Sequence, residues 1–113
     1  MEHKHEHKLL IAQVMDSMPD DDTLCDVAEL FKLFGDITRT KILSALFAQE
    51  LSVCCISEIV KMSQSAVSHQ LRNLRQTKVV KSRRRGKEIL YSLDDEHIAQ
   101  IYKTALEHLR EEK

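Results

Sequence analysis

Turn-forming and aromatic residues are scarce in this 113-residue chain, which has two glycines, one proline, no tryptophan and only 4% aromatics. A β-sandwich or barrel needs many turns and aromatic or β-branched strands, so this poverty argues for helices. No apolar run approaches the roughly 18–20 residues that span a bilayer. The start, Met1-Glu2-His3-Lys4-His5-Glu6-His7-Lys8, lacks the apolar stretch of a signal peptide. The expectation is a cytoplasmic protein with no membrane partner. Cysteines number three, Cys25, Cys54 and Cys55. An odd count with two neighbours is a poor disulfide framework, and cytoplasmic thiols stay reduced. There is no Gly-rich phosphate loop and no nucleophile–base pair, so neither an enzyme nor a small organic substrate is expected.

What the chain does have is an uneven distribution of charge. Its net charge is −1, which by itself says nothing of nucleic acid. Residues 1–30 carry eight acids and two bases, whereas residues 61–90 carry nine bases and one acid, Glu88. A basic block inside an otherwise acidic chain is a local footprint for phosphates.

The length suits a single domain, read as a charged, His-rich and flexible arm over residues 1–8 followed by one domain over 9–113. Residues 9–18 read as a short apolar helix broken at Pro19. Asp22 or Thr23 is expected to cap the next helix, which presents Leu24, Val27, Ala28, Leu30, Phe31 and Phe34 at helical spacing and ends at Gly35. Asp36 or Thr38 starts another, with Ile42, Leu43, Ala45 and Leu46 inward. Ser52 opens a short helix with Ile56, Ile59 and Val60. Met62-Ser63 is the turn into a helix ending near Gln76, with Ala66, Val67, Leu71 and Leu74 inward. Two helices joined by a tight turn form a helix-turn-helix. Val79–Arg83 and Glu88–Leu93 then read as two strands around the basic turn Arg84-Arg85-Gly86-Lys87, a hairpin suited to be a wing. Asp94 or Asp95 starts a last helix. The fold class is mainly α with a small β-hairpin, a winged helix-turn-helix.

The second helix of that motif, Ser63-Gln64-Ser65-Ala66-Val67-Ser68-His69-Gln70-Leu71-Arg72, carries the reading chemistry. Gln64, Ser65, Ser68 and His69 can reach base edges in the major groove of double-stranded operator DNA, Gln pairing bidentately with adenine. Arg72, Arg75, Arg83, Arg84, Arg85 and Lys87 suit phosphates, which position rather than specify.

Four separated motifs in order, Phe34–Leu43, Glu50–Cys54, Ser63–Leu71 and Gly86–Leu93, make the chain from about residue 24 onward resemble the ArsR/SmtB family of metal-sensing repressors. The resemblance implies a homodimer joined through the first and last helices. It also implies that the metal-free dimer holds a palindromic operator and that metal weakens this grip.

On the last helix, His108 and Glu111 lie within roughly 40° of His97, at 100° per residue. His97 and His108 are nevertheless about 16 Å apart along the axis at 1.5 Å per residue, too far for one ion with ~2 Å bonds. Two helices packed antiparallel bring Asp95 and His97 of one chain to His108 and Glu111 of the other, giving two equivalent sites per dimer. Two imidazoles and two carboxylates suit tetrahedral Zn(II); Co(II) fits similarly, and Ni(II) wants further ligands. The spacing also resembles the family's zinc site on this helix.

The cysteines leave alternatives open. Relatives with a thiolate site read Glu-Leu-Cys-Val-Cys-Asp where this chain reads Glu50-Leu51-Ser52-Val53-Cys54-Cys55. Cys25, Cys54 and Cys55, with or without His3, His5 and His7, form a second site for Cd(II), Pb(II) or Zn(II), or the three thiols form a redox switch, or Cys25 and one of the adjacent pair are small buried hydrophobes. A zinc hydrolase is disfavoured because four candidate ligands leave no open position for water. A metal-storage protein has no need of the helix-turn-helix or wing.

Overall fold

The computed structural model describes residues 2–111, with side chains from residue 4 on. Its elements in order are α1 (Glu2–Ser17), α2 (Asp21–Phe34), α3 (Ile37–Ala48), β1 (Leu51–Ser52), α4 (Val53–Val60), α5 (Gln64–Gln76), β2 (Val80–Arg85), β3 (Glu88–Leu93) and α6 (Glu96–Arg110). None of the described helices is long and apolar enough to cross a membrane.

The chain divides into one unit up to Phe31 and a second from Lys32 onward. In the first, α1 begins at Glu2, so the segment expected as an arm is helical from there. Lys and Glu are good helix formers, and nothing breaks the run before Pro19. The cap of α2 is Asp20 rather than Asp22 or Thr23: its carboxylate accepts from the Thr23 N–H at 3.0 Å. Asp21 and Asp22 then occupy the first turn, where the helix dipole favours negative charge.

In the second unit, each helix start is fixed by a short polar side chain that accepts an otherwise unpaired N–H. Asp36 takes the Arg39 N–H at 3.0 Å, Ser52 the Cys55 N–H at 3.3 Å, Ser63 the Ala66 N–H at 3.1 Å and Asp95 the Ile98 N–H at 3.1 Å. The stops of α4 and α5 share one device. Met62 N–H donates to Ser57 O and Val79 N–H to Leu74 O, each closing over a left-handed lysine, Lys61 (φ 59°) or Lys78 (φ 62°). These are Schellman ends, with Lys where Gly is usual.

The core of this unit lies between α3, α4, α5 and the sheet. Ile42, Leu43, Ile56, Val67, Leu71, Leu74, Val79 and Val80 are fully buried there. The expected inward faces are observed, except that Ala45 and Ala66 are only half-buried and Ile59 is exposed. The sheet has the order β1-β3-β2, all antiparallel, so the hairpin acquires a third, two-residue strand. Pairing runs from Val80↔Leu93 to Arg85↔Glu88, which draws Arg84 and Arg85 into β2 and leaves only Gly86-Lys87 as the turn. Gly86 alone has positive φ there (+62°), the pattern of a type II′ turn with Gly at its first central position.

Candidate nucleic-acid interface and metal centre

The apolar positions of α5 turn Val67, Leu71 and Leu74 into the core, and this orients the rest of the helix. Gln64, Ser65, His69, Arg72 and Arg75 are exposed and Ser68 is half-buried, so the expected reading face is free along the helix. The wing stands beside it. Arg75 Nη1 donates to Ser82 Oγ of β2 at 3.3 Å, tying the end of α5 to the hairpin. Between them lies a cleft of about 450 Å³ lined by Ser68, Leu71, Arg72, Arg75, Gln76 and Tyr91.

The three wing arginines are not equivalent. Successive residues of a strand point to opposite faces. The register puts Ser82, Arg84, Ile89 and Tyr91 on one face and Lys81, Arg83, Arg85 and Leu90 on the other. Arg84 therefore shares the face of Ser82 and Tyr91, toward α5. Arg83 is paired: its Nε and Nη2 each donate to a Glu50 carboxylate oxygen at 2.7 Å. Arg83, with Arg85 and Lys81 adding to it, holds the Glu50 carboxyl below the usual carboxylate range, and Glu50 in turn raises Arg83. Lys87 is exposed in the turn.

The other candidate centre is α6. This helix packs by Ile98, which is buried, and by Tyr102, whose hydroxyl lies 2.7 Å from Ser44 Oγ and whose ring centroid is 4.9 Å from that of Phe47 on α3. The face bearing His97, His108 and Glu111 is turned roughly 100–140° away from these contacts, at 100° per residue. All three side chains are exposed. His97 and His108 border a shallow groove of about 760 Å³, lined also by Gln100, Ile101, Thr104 and Ala105. Asp95, the helix cap, uses Oδ1 for the Ile98 N–H and leaves Oδ2 at 3.5 Å from His97 Nδ1. The Ile98 N–H first, and His97 next, hold the Asp95 carboxyl below its ordinary value. Two donors on a tetrahedral ion with 2.0–2.1 Å bonds stand about 3.3 Å apart, so this pair is spaced to share one. Among the described residues, no three His, Cys, Asp or Glu side chains gather within a single chain. Asp95-His97 and His108-Glu111 stand at opposite ends of the helix, as the spacing predicts.

The cysteines are free and exposed in the chain, so the reading of them as buried hydrophobes does not hold. Ile56 and Val60 occupy the inward face of α4, and Cys54 and Cys55 lie off it in the first turn. Cys25 lies on α2, in the other unit. His5 and His7 fall on α1; the side chain of His3 lies outside the described residues. Sequence reasoning missed Glu50, Ser82 and Tyr91 as parts of the wing's surroundings. Glu50 left no local signal, because it stands 33 residues before Arg83 with α4 and α5 between them.

A helix-turn-helix with a polar, exposed second helix and a cationic hairpin beside it defines a winged-helix DNA-binding protein. The family model for bacterial regulatory proteins of the arsR family matches residues 36–82. The chain is 41% identical over 105 residues to the transcriptional repressor SmtB homolog of Synechocystis sp., covering 93% of this chain and 80% of that one. It is 44% identical over 87 residues to the cadmium resistance transcriptional regulatory protein CadC homolog of Staphylococcus aureus, covering 76% and 72%. The solution structure of apo-NmtR superposes with a TM-score of 0.74 at 37% identity, covering 84% of this chain and 80% of that one. The chain belongs to the arsR family of bacterial regulatory proteins; it is a transcriptional regulator and not an enzyme.

Proposed function

We propose that this chain is a metal-responsive repressor whose metal-free homodimer binds double-stranded operator DNA and whose affinity for that DNA falls when Zn(II) binds between the two α6 helices. Gln64, Ser65, Ser68 and His69 read base edges, while Arg72, Arg75 and the wing contact phosphates. Asp95 and His97 of one protomer hold the ion together with His108 and Glu111 of the other. The observation that carries this reading is the outward face of α6. The candidate ligands sit there unused by the chain's own core, one donor pair at each end and the Asp95–His97 pair spaced at 3.5 Å. A relative named for cadmium resistance supports metal as the signal. Zinc supplies cross-linking by nitrogen and oxygen ligands; Co(II) and Ni(II) compete for the same donors with different coordination demands.

Joining the terminal helices restricts the spacing of the two α5 helices, which must match about one turn of DNA. Metal and operator then oppose each other reciprocally.

Mixing tests the shared site. His97→Ala and His108→Ala each remove both sites of their own homodimer. A heterodimer of the two retains one intact site, so an equal mixture regains about a quarter of the wild-type high-affinity zinc. No regain means the four ligands do not meet across two chains.

The exposed thiols favour one second reading, a response to Cd(II), Pb(II) or oxidants through Cys25, Cys54 and Cys55 on the same fold. It predicts release from DNA by those agents that persists in a His97→Ala/His108→Ala variant.

A further inference from the structure

The Glu50–Arg83 pair is not explained by DNA contact. Glu50 precedes β1, whose Leu51 and Ser52 pair with Tyr91 and Leu90 of β3. Arg83 stands on β2, on the far side of β3. The two side chains thus bridge a central strand, spanning outer strands about 10 Å apart at ~4.8 Å per step. Both carboxylate oxygens are engaged, and so is the Nε–Nη2 edge of the guanidinium, the fork that would otherwise grip a phosphate. Two residues after Glu50, Ser52 caps α4, the first helix of the helix-turn-helix. The pair therefore runs from the middle of the wing to the head of that motif.

Arg84 is placed differently. It lies on the opposite face of β2, with Ser82, which accepts from Arg75, and Tyr91, which lines the cleft against α5. Among the described contacts it has no acidic partner.

We infer that Glu50, acting through Arg83, is a positioning residue that braces the wing against the helix-turn-helix, and that Arg84, unlike Arg83, is a wing arginine that meets the DNA phosphates. This rests on the DNA-binding reading above and separates two of its wing arginines, one as a brace and one as a contact. It also assigns Glu50 a sign. A carboxylate beside the wing repels phosphates, so a Glu50 without a bracing role weakens DNA binding, and neutralising it tightens the complex. A Glu50 that braces the wing has the opposite effect.

The test uses the full metal-free chain and a duplex selected by that chain from a random-sequence library; failure to enrich any duplex overturns the DNA-binding reading itself. With the wild-type complex in hand, affinity is measured against salt for Glu50→Gln, Arg83→Gln, their double variant and Arg84→Gln. Glu50→Gln and Arg83→Gln are expected to weaken binding roughly two- to fivefold without changing the salt slope, and the double variant to be no worse than the weaker single. Arg84→Gln is expected to reduce the slope by about 0.9, one released counterion. In the DNA-free chain, amide exchange over residues 80–93 is expected to quicken in Glu50→Gln and Arg83→Gln and to stay at the wild-type rate in Arg84→Gln. Unchanged or tighter binding by Glu50→Gln overturns the brace. A slope that falls with Arg83→Gln and not with Arg84→Gln overturns the assignment of the contact.

Discussion

At the head of α5 the Ser63 hydroxyl accepts the Ala66 N–H at 3.1 Å, and Gln64 and Ser65, proposed to read base edges, follow at once. Ser63→Ala removes that acceptor and is expected to destabilise the fold by about 1 kcal/mol, seen as a lower denaturant midpoint at unchanged slope. Carboxylates set the acid limit. Thr23, through its side chain and its N–H, holds Asp20 below its ordinary value, and Arg83 does the same for Glu50. The folded chain thus binds these protons less readily than the unfolded one. Their contribution is complete above about pH 5 and is lost as the pH falls through about 4 and below. The thermal midpoint is expected to match at pH 7 and pH 5 and to drop at pH 3; a midpoint that rises on acidification contradicts this. Caps such as Asp36, Ser52 and Ser63 were legible because a cap is a local event, set by one side chain and the next three N–H groups. The Glu50–Arg83 bond joins residues 33 apart and depends on strand register, which no local pattern in either segment encodes.

Among the elements, α4 and α5 were legible from the 3.6-residue spacing of Ile56, Val60, Val67, Leu71 and Leu74, all of which are buried. Their ends were less so. A chain with two glycines offers no Gly for either left-handed stop, so Lys61 and Lys78 adopt that conformation instead. A left-handed non-Gly residue costs about 1–2 kcal/mol, part of which Gly returns as unfolded-state entropy. Lys78→Gly is therefore expected to raise stability by about 0.5–1 kcal/mol in chemical denaturation. Destabilisation would mean that the lysine side chain itself holds the junction with β2. The two-residue β1 escaped notice because it is too short for alternation to register. The outward face of α6 was legible from 100° arithmetic alone, whereas the 3.5 Å approach of Asp95 to His97 is a product of cap geometry, which residue spacing does not encode.

For the whole molecule, the basic block between residues 61 and 90 folds into two adjoining features, the exposed face of α5 and the hairpin, and its sum with the acidic remainder is a net charge of −1. Net charge thus hid a polarity that its distribution along the chain revealed. In the proposed zinc site dimerisation is a requirement of geometry, since the two candidate donor pairs of α6 lie at opposite ends of one straight helix. The apolar residues Leu9, Leu10, Ile11, Val14 and Met15 of α1 are exposed in the single chain. A coupling of a few kcal/mol between metal and DNA is enough for control, because each 1.4 kcal/mol is tenfold in affinity. The most direct measurement is the affinity of the dimer for its selected duplex by fluorescence anisotropy, metal-free and with saturating Zn(II), in wild type and His97→Ala/His108→Ala. Zinc is expected to weaken binding at least about tenfold in wild type and to have no effect in the variant, whose metal-free affinity stays at the wild-type level. Equal affinities with and without zinc in the wild-type chain would contradict this.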